Sequence, residues 1–142
     1  SFEKFSEGPV FSTSRLEPGY VGTMEVIKND KGTYDGFYLS CREWIENKGV
    51  MEPVYNIRHA NSHNGIDWIP TEKAVVELQK NEGGVSQVSV LRSKDGYEMY
   101  YSVRDSIDFR ENPKKSYRIM SSFSKDGISW KRRDYKRYTR SW

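Results

Sequence analysis

The chain has a single cysteine, only two histidines and no long apolar run. Cys41 alone cannot close an internal disulfide, which leans the chain towards a reducing, cytoplasmic compartment. No apolar run approaches the ~20 residues that a membrane helix needs, so no membrane partner is expected. His59 and His63 stand four apart on a strand that runs into a turn. That is not the helical spacing of a zinc pair, and with one cysteine no metal or other cofactor is expected. There is no glycine-rich phosphate loop and no Gly-x-Ser-x-Gly nucleophile elbow.

What is present is aromatic and charged. The 142 residues are 30% charged and include 6 Phe, 4 Trp and 10 Tyr, with a mean hydropathy of −0.86. That is the composition of half-wet β-strands in one ordinary domain, not of a disordered chain. The net charge of +3 is misleading. Residues 131–142 hold Lys131, Arg132, Arg133, Lys136, Arg137 and Arg140 against one acid, Asp134. Removing them from the total leaves a slightly acidic body. The tail interleaves its bases with Tyr135, Tyr138 and Trp142, a composition suited to single-stranded nucleic acid. A charge-protected edge strand explains it more simply, so nucleic acid is not expected as a partner.

The organising feature is a repeat. Shifting the sequence by 62 residues lays Tyr38–Trp68 on Tyr100–Trp130 without a gap. Tyr38, Ser40, Arg42, Ile45, Tyr55, Ile57, Ser62, Gly65, Ile66 and Trp68 meet identical residues. A repeat of this length sets the architecture before any local reading. In each copy short alternating runs are separated by Gly, Asn and Asp turns, which predicts four antiparallel strands per copy. The first copy predicts strands over Thr23–Lys28, Phe37–Arg42, Val54–Ala60 and from Ile66, with Trp44–Pro53 as a longer connection. The second predicts Val85–Leu91, Glu98–Arg104, Ser116–Phe123 and Ile128–Arg133, with Ser106–Lys115 as the connection. Residues 1–11 are expected to form a further short strand. Thr71–Lys80 has the propensity of an amphipathic helix. The repeat sets Ala74–Val76 in the place of Gly8–Val10, and Pro9 suits no helix interior, so Ala74–Glu77 is expected extended. The fold class is therefore all-β, one domain with repeats about 22–76 and 84–138.

The text Met99-Tyr100-Tyr101-Ser102-Val103-Arg104, Tyr117-Arg118-Ile119 and Ser124-Lys125-Asp126-Gly127-Ile128-Ser129-Trp130 resembles the blades of five-bladed β-propeller glycosidases. These are glycoside hydrolase families 32, 43 and relatives; the chain is most similar to uncharacterised propeller proteins that accompany polysaccharide synthesis. The resemblance implies two propeller blades, with 1–11 a strand at a preceding blade position and Trp68 and Trp130 sealing blade flanks. It also implies a glycan partner. Two blades leave open faces, so self-association into a closed homo-oligomeric ring is expected.

In such propellers the innermost strands line a funnel that holds the catalytic carboxylates. Glu25, between apolar neighbours, resembles the family's acid; desolvation would raise its pKa as a general acid needs. The shift of 62 pairs it with Gln87, which cannot ionise. A glycosidase needs two carboxylates, so Glu43 or Asp105 would have to supply the second. Antiparallel strands bring Arg42-Glu43 and Arg104-Asp105 to the end where Gly22–Glu25 and Gly84–Gln87 begin. Tyr38 and Tyr100 would add aromatic faces, and arginine forks suit sugar hydroxyls or carboxylates. The simpler reading makes the two Arg-acid pairs structural ties between the copies. Three functions follow: a glycan-binding module, a glycosidase using Glu25 with Glu43 or Asp105, or a non-catalytic assembly domain.

Overall fold

The computed structural model describes residues 2–133, and within them the chain is all-β with no helix. Eight strands form one open sheet. β1 (Tyr20–Lys28), β2 (Tyr34–Asn47), β3 (Val50–Ser62) and β4 (Ile69–Val76) pair antiparallel in chain order. β5 (Glu82–Ser93), β6 (Gly96–Asp105), β7 (Arg118–Ser124) and β8 (Lys131–Arg133) repeat that meander. A single parallel bridge, Tyr55 with Gly84, ties β3 to β5.

The turns follow their residues. Asn29 caps the first hairpin, its Oδ1 accepting from the backbone N–H of Lys31 and Thr33, both at 3.1 Å. The two later turns are copies of one another at the level of single bonds. Ser62 Oγ accepts from Gly65 N at 2.8 Å, and Ser124 Oγ from Gly127 N at 2.9 Å. The Trp68 indole N–H donates to Gly65 O at 3.2 Å, and that of Trp130 to Gly127 O at 3.1 Å. Both tryptophans are thus fixed to their own turns, as a structural role requires.

Two expectations change. Trp44–Pro53 is not a connection: β2 and β3 stay paired to Asn47↔Val50. Lys48 and Gly49 take φ of 55° and 79° and close the two-residue hairpin that such a conformation favours. The corresponding stretch of the second copy is irregular as expected; it contains Pro113, which cannot donate to a ladder. Phe2–Phe11 forms no strand; Gly8-Pro9 interrupts it, and Phe11 instead stands edge-on to Tyr38 with ring centres 4.6 Å apart. The extended reading of Ala74–Glu77 holds through Val76, and the helical alternative for Thr71–Lys80 falls, because Ile69–Val76 is a strand.

Phe37, Leu39 and Ile57 of the first meander and Tyr97, Met99, Tyr101 and Val103 of the second belong to one buried cluster. Residues alternate between faces along a strand. Tyr38 and Ser40 therefore point away from the shared core, as do Glu98, Tyr100 and Ser102. Tyr38 is nevertheless fully buried. Its hydroxyl donates to Glu17 Oε1 at 2.6 Å, and Arg58 Nε lies 3.6 Å from the same oxygen. The segment before β1 closes this outer face with a buried ion pair.

Candidate functional site

The two meanders leave a groove of about 440 Å³ near the end where β1 and β5 begin. Its wall takes Tyr20 and Thr23 from β1, Glu52 and Tyr55 from β3, Ser86 and Gln87 from β5, and Arg104 from β6. Phe109, Arg110 and Tyr117 close it from the β6–β7 connection. Strand irregularities shape it. β1 bulges between Val21 and Met24, and β5 between Ser86 and Ser89. Thr23 and Gln87 lie inside those bulges, and Gln87 holds a φ of 51°. Gly84 lets the third strand close in, since a Cβ there would overlap the Tyr55 ring.

Arg104 is the centre of the scaffold. Its Nε donates to Tyr55 Oη at 3.1 Å, Nη1 to Asp105 O at 3.0 Å and Nη2 to Pro53 O at 2.6 Å. The guanidinium also sits 4.0 Å from the Phe109 ring centre. A buried cation so fully engaged positions its neighbours. Tyr55 and Tyr117, partners in the repeat, meet hydroxyl to hydroxyl at 2.6 Å. One proton lies between them, which leaves one O–H to donate elsewhere. Burial pushes the Tyr55 phenol up to about 12, helped by the Tyr117 bond and opposed by Arg104. Glu52 is buried and gripped by Arg110, with Nε–Oε1 at 2.8 Å and Nη2–Oε2 at 3.0 Å. That grip outweighs burial and holds its carboxyl below the usual range. At neutral pH the groove therefore presents Glu52 as an anion beside two arginines.

Only Gln87 and Arg104 of the expected residues line this groove. Glu25 is half-buried and receives Val90 N at 3.5 Å. Gln87 is not its counterpart. Glu25 stands opposite Phe37, whose partner at a shift of 62 is Met99, and Met99 stands opposite Val90. The β5–β6 hairpin closes at Ser93↔Gly96, and this displaces β5 from the unbroken shift. Arg42 and Glu43 are both exposed. Asp105 pairs through its carboxylate with Arg118 at 2.8 Å, while Arg104 reaches only its carbonyl. Tyr38 is sealed under residues 11–17, and the Tyr100 hydroxyl donates to Glu98 at 2.9 Å on the outer face of the second meander. Glu25, Glu43 and Asp105 are not brought together in the groove.

The histidines go elsewhere too. His59 Nε2 bonds buried Asp35 at 2.8 Å, and Asn61 and Asn29 complete that carboxylate's partners. Cys41 is buried, as a small apolar side chain would be. Of the tail, Lys131–Arg133 form β8; residues 134–142 lie outside the described residues. Glu52, Arg110 and Tyr20 carried no signal in the sequence. Tyr55 did, as one of the repeated tyrosines, but its pairing with its own copy emerges only when the meanders pack. Comparison with protein-family models, with curated proteins and with solved structures finds no match.

Proposed function

We propose that the chain is a carbohydrate-associated module of β-propeller type, made of two blades, that binds a glycan in the groove between them. The carrying observation is the groove's wall: Tyr20, Tyr55, Phe109 and Tyr117 offer aromatic surface beside Glu52, Gln87 and Arg110. Sugar rings present C–H faces and hydroxyl edges, and a few fixed polar groups among aromatic ones suit both. The paired Tyr55–Tyr117 hydroxyls and the Glu52–Arg110 fork hold that wall rigid, which lowers the ordering cost of binding. The repeated meanders and the turn-bound tryptophans support the blade reading.

Binding is favoured over hydrolysis. Glu52 is the one carboxylate among the described residues that line the groove, and glycoside hydrolysis ordinarily uses two. Glu52 is moreover occupied by Arg110. A glycan array read with the whole chain, followed by calorimetry on the best ligand, tests the proposal. Tyr117→Ala and Tyr20→Ala are each expected to weaken binding tenfold or more, and Arg42→Ala, outside the groove, to leave it unchanged. Binding that survives both tyrosine changes, or no glycan bound at millimolar protein, would overturn it.

A further inference from the structure

The aromatic wall of the groove does not end at Tyr20. Residues opposite one another on antiparallel strands share a face. Tyr20 stands opposite Cys41, and Cys41 opposite Tyr55, so all three lie on the face that packs into the core. In a regular strand Trp44, three residues beyond Cys41, would face the other way, because side chains alternate. The bulge between Cys41 and Glu43 adds one residue to β2 and reverses this. Trp44 therefore stands opposite Pro53, itself part of the groove wall and two residues from Tyr55. Its ring centre lies 6.1 Å from that of Tyr20, with the two planes inclined at 60°. Trp44 is 48% exposed. A shift of 62 sets Ser106 in this place, so the second copy carries no such ring.

Resting on the glycan reading of the groove, we infer that Trp44 is a second sugar platform and that the ligand is a linear oligosaccharide of several rings, not a single sugar. One ring occupies the groove beside Tyr20 and Tyr55. The chain leaves it over Pro53 and lays a further ring on the Trp44 indole. An indole pairs a flat apolar face with one N–H donor, and a sugar ring pairs a C–H face with hydroxyls. The platform is also rigid. The β2–β3 ladder continues past it to Asn47↔Val50, so Trp44 rides on paired strands and not on a loop, which lowers the ordering cost of binding. The two ends of the site divide the work. Glu52, Gln87 and Arg110 line the groove and can read the hydroxyls of the ring it holds. Stacking on a flat face discriminates less than hydrogen bonding does. The groove therefore sets which sugar binds, and Trp44 sets how much a longer chain gains.

Calorimetry of the full chain with xylo-, cello- and manno-oligosaccharides of two to six units tests this. In the series that binds, affinity is expected to rise tenfold or more with length and then level off. Trp44→Ala is expected to erase that rise, and Trp44→Phe, which keeps a ring, to retain part of it. Should Trp44→Ala misfold by circular dichroism, fluorescence of Trp44→Phe carries the readout. The longer oligosaccharides are expected to shift the tryptophan emission of wild type and to leave that of Trp44→Phe in place. Affinity independent of length would overturn the inference while the groove reading stands. So would a length dependence that Trp44→Ala leaves intact, or an emission shift that persists in Trp44→Phe. A wild-type chain that binds no member of the three series would overturn both.

Discussion

Ile57 and Ile119 hold the same place in the repeat, yet Ile57 is fully buried and Ile119 is 77% exposed. The cause is register. β2–β3 sets Leu39 opposite Ile57. An unbroken shift of 62 would then set Tyr101 opposite Ile119, but β6–β7 sets Ser102 there. A slip of one residue sends a strand's side chains to the opposite face. The two copies thus share the turn that follows their third strands and differ in what those strands bury. Identical sequence in a repeat guarantees the local bonds of a turn, not the face on which a side chain ends.

Paired substitutions test this most directly. Ile57→Ala removes core contacts and should cost about 2–5 kcal/mol. Ile119→Ala, at an exposed position, should change stability by less than about 0.5 kcal/mol. Urea unfolding of the two variants gives the comparison; equal losses would break it. The tyrosines come next. Tyr38→Phe strips the buried Glu17 carboxylate of its 2.6 Å donor, at a cost of about 1–3 kcal/mol. Tyr100→Phe loses an exposed bond to Glu98, and its midpoint should shift less than that of Tyr38→Phe. A Tyr38→Phe variant as stable as wild type would mean that Glu17 finds another donor.

The strands and turns were legible because their signals are local. Asn29 and Gly32, Asn64 and Gly65, and Asp126 and Gly127 announce turns through their own chemistry, and the repeat overruled the helical propensity of Thr71–Lys80. The β2–β3 hairpin escapes the sequence because Lys48-Gly49 is a weaker turn signal than Asn-Gly. The site was harder. Duplication drew attention to Arg42-Glu43 and Arg104-Asp105, but a bulge between Cys41 and Glu43 leaves Arg42 outside, exposed. Glu52 gains its meaning from Arg110, which stands 58 residues away. No periodicity reports such a pair; it exists only once β3 and the β6–β7 connection are packed together.

The smallest expected effect concerns polar groups that the first meander has and the second lacks. A shift of 62 carries Asn29, Asp35, His59 and Asn61 onto Leu91, Tyr97, Ser121 and Phe123. Burial alone would raise the Asp35 carboxyl, but hydrogen bonds from His59, Asn29 and Asn61 outweigh it and hold it below its ordinary value. A carboxyl depressed on folding contributes stability that is complete above its unfolded value, about pH 4. That contribution is lost as the pH falls through the lower folded value. Asp35→Asn removes the titration, so its stability should fall less steeply than that of wild type below pH 4. Residue-resolved hydrogen exchange at pH 3 would show where the loss begins: in β2 and β3, with β6 and β7 following. Simultaneous opening of both meanders would mean that the shared core, which joins Phe37 and Ile57 to Met99 and Tyr101, couples them more strongly than their separate outer faces divide them.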